Sequence, residues 1–185
     1  MRTNTNLDEA HRDDITIGEE AMAQVVRPGL ELGHLIPDFQ LESADGKIVS
    51  PADYKERKNL VILFFNPRDS RDLEVLVELS RRYHTIADAN AEVLGIASGP
   101  LNEFRMCAKY FNLPYPLLSD VRGEALCSYC VQGVMVFVAD RFGELRMQKE
   151  IREDNVDQIL DEVESTLGLI EIECPECGVA TWPIE

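Results

Sequence analysis

Strands and helices alternate along the middle of this chain in an order that predicts an α/β protein with a mixed central sheet. Three observations carry the prediction. Short apolar runs rich in β-branched residues recur at 60–65, 91–98 and 133–140, each the length of a buried strand. The first two runs are joined by a segment with helical spacing, a strand–helix–strand unit that implies parallel pairing. The third run turns at Arg141-Phe142-Gly143 into ELRMQKEI, which reads as its antiparallel partner, so the sheet is mixed.

Taken in order, residues 1–27 are polar and acidic, with one short apolar patch in EEAMAQVV, and read as an N-terminal arm. The globular domain is predicted from Pro28 to Gly168. Asp45-Gly46 marks a hairpin between QLES and KIVS. Ser50-Pro51 has the pattern of an N-cap followed by proline at the first helical position, so a short helix is expected at PADY. The strand at 60–65 feeds a helix from about residue 70 to 89, with Leu73, Leu76, Val77 and Leu79 on its apolar face. After the second strand, LNEFRMCAKYFN has helical spacing at Leu101, Phe104, Ala108 and Phe111. YPLLSD is a short strand or turn, and RGEALCSYC a short helix. A last amphipathic helix is expected over 154–167 on Val156, Ile159, Leu160, Val163 and Leu167, stopped by Gly168. Residues 169–185 form a cysteine-bearing tail, in which Trp182 has a packing role against the body.

Composition narrows the function. The 185 residues carry 34 acidic against 18 basic side chains, a net charge of −16. Nucleic acid requires a basic face, and anionic membrane surfaces attract basic segments, so neither is expected as a partner. No apolar run approaches the roughly 20 residues of a membrane span. The first residues lack the apolar region of a secretory signal, so a cytoplasmic location is expected. An odd cysteine count in a reducing compartment argues against a disulfide framework.

Four pieces in the right order carry a family resemblance. These are LGHLIPDFQLESADGKIVSPADYK, NLVILFFNP, EVLGIAS followed by FNLPYPLLSD, and FVADRFGELR. Across about residues 32–167 the chain resembles the peroxiredoxin family, also called alkyl hydroperoxide reductase/thiol-specific antioxidant proteins. The resemblance implies a thioredoxin-like three-layer α/β/α sandwich with a mixed central sheet. It also implies an antioxidant oxidoreductase acting on peroxide or disulfide with a thiol reductant, often as a homodimer.

The catalytic turn departs from that pattern. The family's loop reads Pro-x-x-x-Thr-x-x-Cys, where the Cys thiolate attacks peroxide and the Thr and a distant Arg position it. Counting from Pro67, the Thr position holds Arg71 and the Cys position holds Glu74. The Arg position, just before the late strand, holds Val134-Met135. Residues 66–106 contain no cysteine, so no shift of alignment restores the thiol. A carboxylate has no redox ladder and cannot replace it. Glu74 then reads either as a solvated residue favoured by the helix dipole or as a general base or metal ligand in a remodelled pocket.

The remaining thiols fall into two Cys-x-x-Cys pairs, Cys127/Cys130 and Cys174/Cys177, with Cys107 alone on a helix and read as core packing. CPECG at 174–178 has the form of a zinc-knuckle turn. If Cys127 and Cys130 share a helix face, the four thiolates complete one structural zinc site. The 43 residues between the pairs exceed the usual ribbon spacing of roughly 15–20. The same four cysteines also suit dithiol redox chemistry, in which one pair reacts and the other resolves. A third reading makes Cys127 and Cys130 small buried hydrophobes. His11, His34 and His84 lack the spacing of a ligand pair. The two functional classes are therefore a peroxiredoxin-like oxidoreductase working through the Cys-x-x-Cys pairs, and a non-catalytic, zinc-stabilised binding or assembly module.

Overall fold

The computed structural model describes residues 30–173. The predicted arm and the tail cysteines Cys174 and Cys177, with His11 and Trp182, lie outside them. Seven strands form one mixed sheet: β1 (Leu41–Ser43), β2 (Ile48–Val49), β3 (Asn59–Phe64), β4 (Ala91–Ala97), β5 (Leu117–Ser119), β6 (Val134–Ala139) and β7 (Leu145–Ile151). Their order across the sheet is β2-β1-β5-β4-β3-β6-β7. β3, β4 and β5 run parallel, joined through α1 (Ser70–Asp88) and α2 (Leu101–Tyr110). β6 lies antiparallel to β3, and β7 antiparallel to β6. Two further helices, α3 (Glu124–Ser128) and α4 (Val156–Ile172), complete the fold.

The alternation of side chains along β3 sorts the core into two layers. Val61 and Leu63 face α1, α2 and α4, where they meet Leu76, Leu79, Phe104 and Val163. Leu60, Ile62 and Phe64 face the other way, onto Ile36, Phe39, Ala125 and Tyr129. A 3₁₀ turn at Pro51–Tyr54, capped by Ser50, stands among the elements outside the first layer. The arrangement is the expected α/β/α sandwich. The Asp45-Gly46 hairpin forms as predicted, because Gly46 takes a φ of 88° that other residues resist.

Two polar clamps hold the last helix down. Arg82 on α1 sits among Glu78, Asp157, Asp161 and Glu164, so one guanidinium bridges α1 to three carboxylates of α4. Asn59 is wholly buried at the start of β3. Its Nδ2 donates to Ala89 O at 3.3 Å and Glu171 Oε1 at 2.8 Å, while its Oδ1 accepts from the Arg141 amide at 2.9 Å.

The end of α4 corrects the sequence reading. Gly168 does not stop the helix, which continues to Ile172. Gly168 lies on the solvent side with no atom near its missing side chain, and Ile170 extends the buried stripe past it. Local glycine propensity, about 1 kcal/mol, loses to that packing.

A close approach elsewhere has a testable cost. A Cβ at Gly95 in β4 would lie 2.5 Å from Cδ2 of Leu117, itself fully buried. Gly95→Ala is expected to cost about 1–3 kcal/mol in urea denaturation, the range for overpacking. Because the clash is with one side chain, Gly95→Ala combined with Leu117→Ala should lose less than the sum of the two single losses.

Candidate functional site

β3 delivers the chain to the carboxyl edge of the sheet, where α/β folds place their chemistry. Phe65 stays on the sheet through its amide, bonded to Ile96 O at 3.1 Å, and the chain then leaves at Asn66-Pro67. Side chains close the turn that follows. Asn66 Oδ1 accepts from the Arg68 amide at 3.1 Å, and Asp69, the N-cap of α1, accepts from the Arg71 amide at 3.0 Å. Asp72 folds back to accept the Asn66 amide on Oδ2 at 2.7 Å. Pro67, Arg71 and Glu74 therefore share one ordered turn. Arg71 and Glu74 are exposed, and Arg71 faces Glu153 at 3.8 Å. The Glu74 side chain has no ion pair or hydrogen bond among the described residues.

The turn holds no oxidisable group. Val134 and Met135 begin β6, with Met135 opposite Phe64, so the position assigned to an arginine by the resemblance carries apolar side chains. What the turn does hold is a buried carboxylate. Asp72 is 9% exposed. Burial pushes its carboxyl above the usual carboxylate range, against the opposing pull of the Asn66 amide. Asp72 was not singled out from the sequence. Its position three residues after the N-cap Asp69 is the local signal for a side chain that reaches back.

A cleft of about 760 Å³ opens beside this turn, between the first turns of α1 and the β7–α4 connection. Asp72 and Glu74 line it together with Val77, Phe111, Val134 and Val156. The volume is that of a small-molecule site.

The cysteines are distributed differently from the expectation. Cys127 is exposed on α3, which excludes the reading that makes it a buried hydrophobe. Cys130 does not share a helix face with it, because α3 ends at Ser128 and Cys130 lies past the cap with a left-handed φ of 53°. The residue between them, Tyr129, is the anchor. Its ring packs 5.1 Å from those of both Phe64 and Phe137, and its hydroxyl donates to Pro37 O at 2.8 Å. Since Phe64 ends β3, the pair stands at the same edge of the sheet as the Pro67 turn, on the opposite face. Asp120, 1% exposed, fixes α3 by accepting the amides of Glu124 and Leu126 at 3.0 and 2.9 Å. Cys107 is half-buried against the first core layer, and burial pushes its thiol up, as expected for packing. His34 and His84 are exposed beside Glu31 and Asp88.

A parallel three-strand centre extended by antiparallel strands, with a helix starting where β3 leaves the sheet, defines a redoxin scaffold of the thioredoxin fold. The chain belongs to the AhpC/TSA family, whose model matches residues 32–148. It is 33% identical over 90 residues to chloroplastic peroxiredoxin Q of Gentiana triflora, covering 48% of this chain but only 41% of the plant protein. It is 32% identical over 116 residues to a putative peroxiredoxin bcp of Coxiella burnetii, covering 62% of this chain and 73% of that one. The crystal structure of peroxidoxin BcpB from Mycobacterium tuberculosis superposes with a TM-score of 0.69 at 20% identity, covering 78% of this chain and 99% of that chain. Peroxiredoxin Q of Xanthomonas campestris gives 0.65 at 16% identity, over 72% and 91%. These likenesses establish the scaffold that the sequence pattern predicted.

The buried carboxylate makes a pH prediction. Asp72 binds its proton more readily folded than unfolded, so its ionisation costs stability as pH rises from the unfolded value, about 3.9, through the raised folded one. Asp72→Asn keeps an acceptor for the Asn66 amide and removes that cost. In thermal melts its stability relative to wild type should be greatest at neutral pH and fall as pH drops through the carboxylate range.

Proposed function

We propose that the chain is a thiol-dependent oxidoreductase of peroxiredoxin type whose α1 turn is silent and whose redox chemistry runs on Cys127/Cys130 and Cys174/Cys177. The observation that carries this reading is the exposed Cys127 at the carboxyl edge of the sheet, in a family scaffold whose usual turn holds no thiol. The thiolate attacks the peroxide O–O bond, gaining one oxygen as sulfenic acid, while the other oxygen leaves as water or alcohol. A second thiol condenses with the sulfenic acid, expelling water and forming a disulfide. An external thiol supplies the two electrons that restore the pair. Against a protein disulfide the same thiolate forms a mixed disulfide that its neighbour resolves. A reducing compartment such as the cytoplasm keeps the thiols ready between turnovers, and pairing as a homodimer accords with the family.

A second reading uses the same four sulfurs as a closed zinc site on a non-catalytic binding or assembly module. The knuckle-like CPECG favours it. Metal analysis of protein purified without chelator separates the two, since about one zinc per chain removes the thiolates from redox use and overturns the oxidoreductase reading. Metal-free protein should consume peroxide in the presence of a thiol reductant. Cys127→Ser should abolish this turnover and Cys107→Ser should leave it intact. Turnover that survives Cys127→Ser, or none in the wild type with peroxide or a disulfide substrate, sinks the proposal.

A further inference from the structure

The geometry points to the cleft beside α1 as a binding site for a small organic cation, a primary ammonium or guanidinium on an aliphatic chain. Of the side chains that line it, six are carboxylates and three are guanidiniums. The guanidiniums are already committed. Arg71 faces Glu153, Arg81 pairs with Glu78 at 2.7 Å, and Arg152 pairs with Glu150. Asp72 and Glu74 have no such partner. Asp72 Oδ2 takes the Asn66 amide, while its Oδ1 has no hydrogen bond among the described residues, though the residue is 9% exposed. A buried carboxylate with an open oxygen, in a cavity large enough for a ligand, is stabilised by an incoming cationic donor. Glu74 lies one position beyond the next residue of α1, on the same cleft wall.

The apolar side chains fix the rest of the ligand. Val77, Phe111, Val134 and Val156 come from four different elements or their ends, and offer an aliphatic chain a surface to cover. An anion at the α1 N-terminus is the opposing case. Asp69 already accepts the Arg71 amide there, and the excess of carboxylates repels a second negative group. The site does not involve the cysteines, so it stands or falls independently of the thiol chemistry.

Titration of the isotope-labelled chain with hexylammonium, hexanoate and hexanol, read by amide chemical shifts, tests the assignment. Hexylammonium should shift amides at Asp72, Glu74, Val134 and Val156, and bind more tightly than the alcohol or the acid. Asp72→Asn should weaken it by at least about tenfold, the loss of one charged hydrogen bond. Glu74→Gln, at an exposed helical position where folding is safe, should weaken it measurably and serves if Asp72→Asn does not fold. Equal or tighter binding of hexanoate or hexanol overturns the assignment. So do shifts confined to other surfaces, affinity unchanged by the substitutions that fold, or no binding of hexylammonium.

Discussion

A strand buried on both faces and bonded on both edges has no freedom until it leaves the sheet, and β3 is such a strand. All six of its residues are buried, β4 pairs with it on one side and β6 on the other, and its side chains seed both layers of the core. The direction in which the chain departs after Phe65 is therefore set before any residue of the turn is considered. The α1 turn inherits its position from that strand, and so does the Cys127–Cys130 segment, through Tyr129 against Phe64. Two surfaces with different chemistry are held in register by one strand.

The scaffold and its chemistry separate cleanly here. The family model matches residues 32–148, and within that span the turn after β3 carries Glu74 and a folded-back Asp72. Fold and function are distinct inferences. Hydrogen bonding explains the order of the turn. The Asx-type closure by Asn66 and Asp69 and the Asp72 contact to the Asn66 amide order the loop without any thiol. A turn closed by bonds from its own side chains to its own amides keeps its shape whatever residue follows on the helix.

The elements legible in the sequence were those whose stability is local or periodic. β3, β4 and β6 announce themselves as apolar runs, α1 as a 3.6-residue stripe, and the Asp45-Gly46 hairpin by its turn chemistry. What was not legible depends on distant partners. α4 passes Gly168 because Ile170 finds the core, which no window around the glycine reveals. Cys127 and Cys130 part company because Tyr129 is drawn into a pocket made by Phe39, Phe64 and Phe137, so the helix cannot continue with the same face outward. Asp72 and Asp120 look like surface charges in a chain of net charge −16, and their burial follows only from backbone amides that the fold brings to them. The cleft is assembled from α1, the end of α2, β6, β7 and the start of α4, and leaves no motif at all.

The buried amide of Asn59 carries a consequence for the order of events during synthesis. Its acceptor on Glu171 lies 112 residues further along the chain, and its donor from Arg141 lies 82 residues further along. A ribosome that has made β3, α1 and β4 has made half of the buried apolar residues but neither of these partners. Until α4 emerges, closing β3 into the core would leave the Asn59 Nδ2 with Ala89 O as its one acceptor, a hydrogen bond short at a wholly buried site, which is costly. The entry end of the sheet is thus the last part to become dry, and the final helix acts as the seal on a domain whose opposite end is already in place.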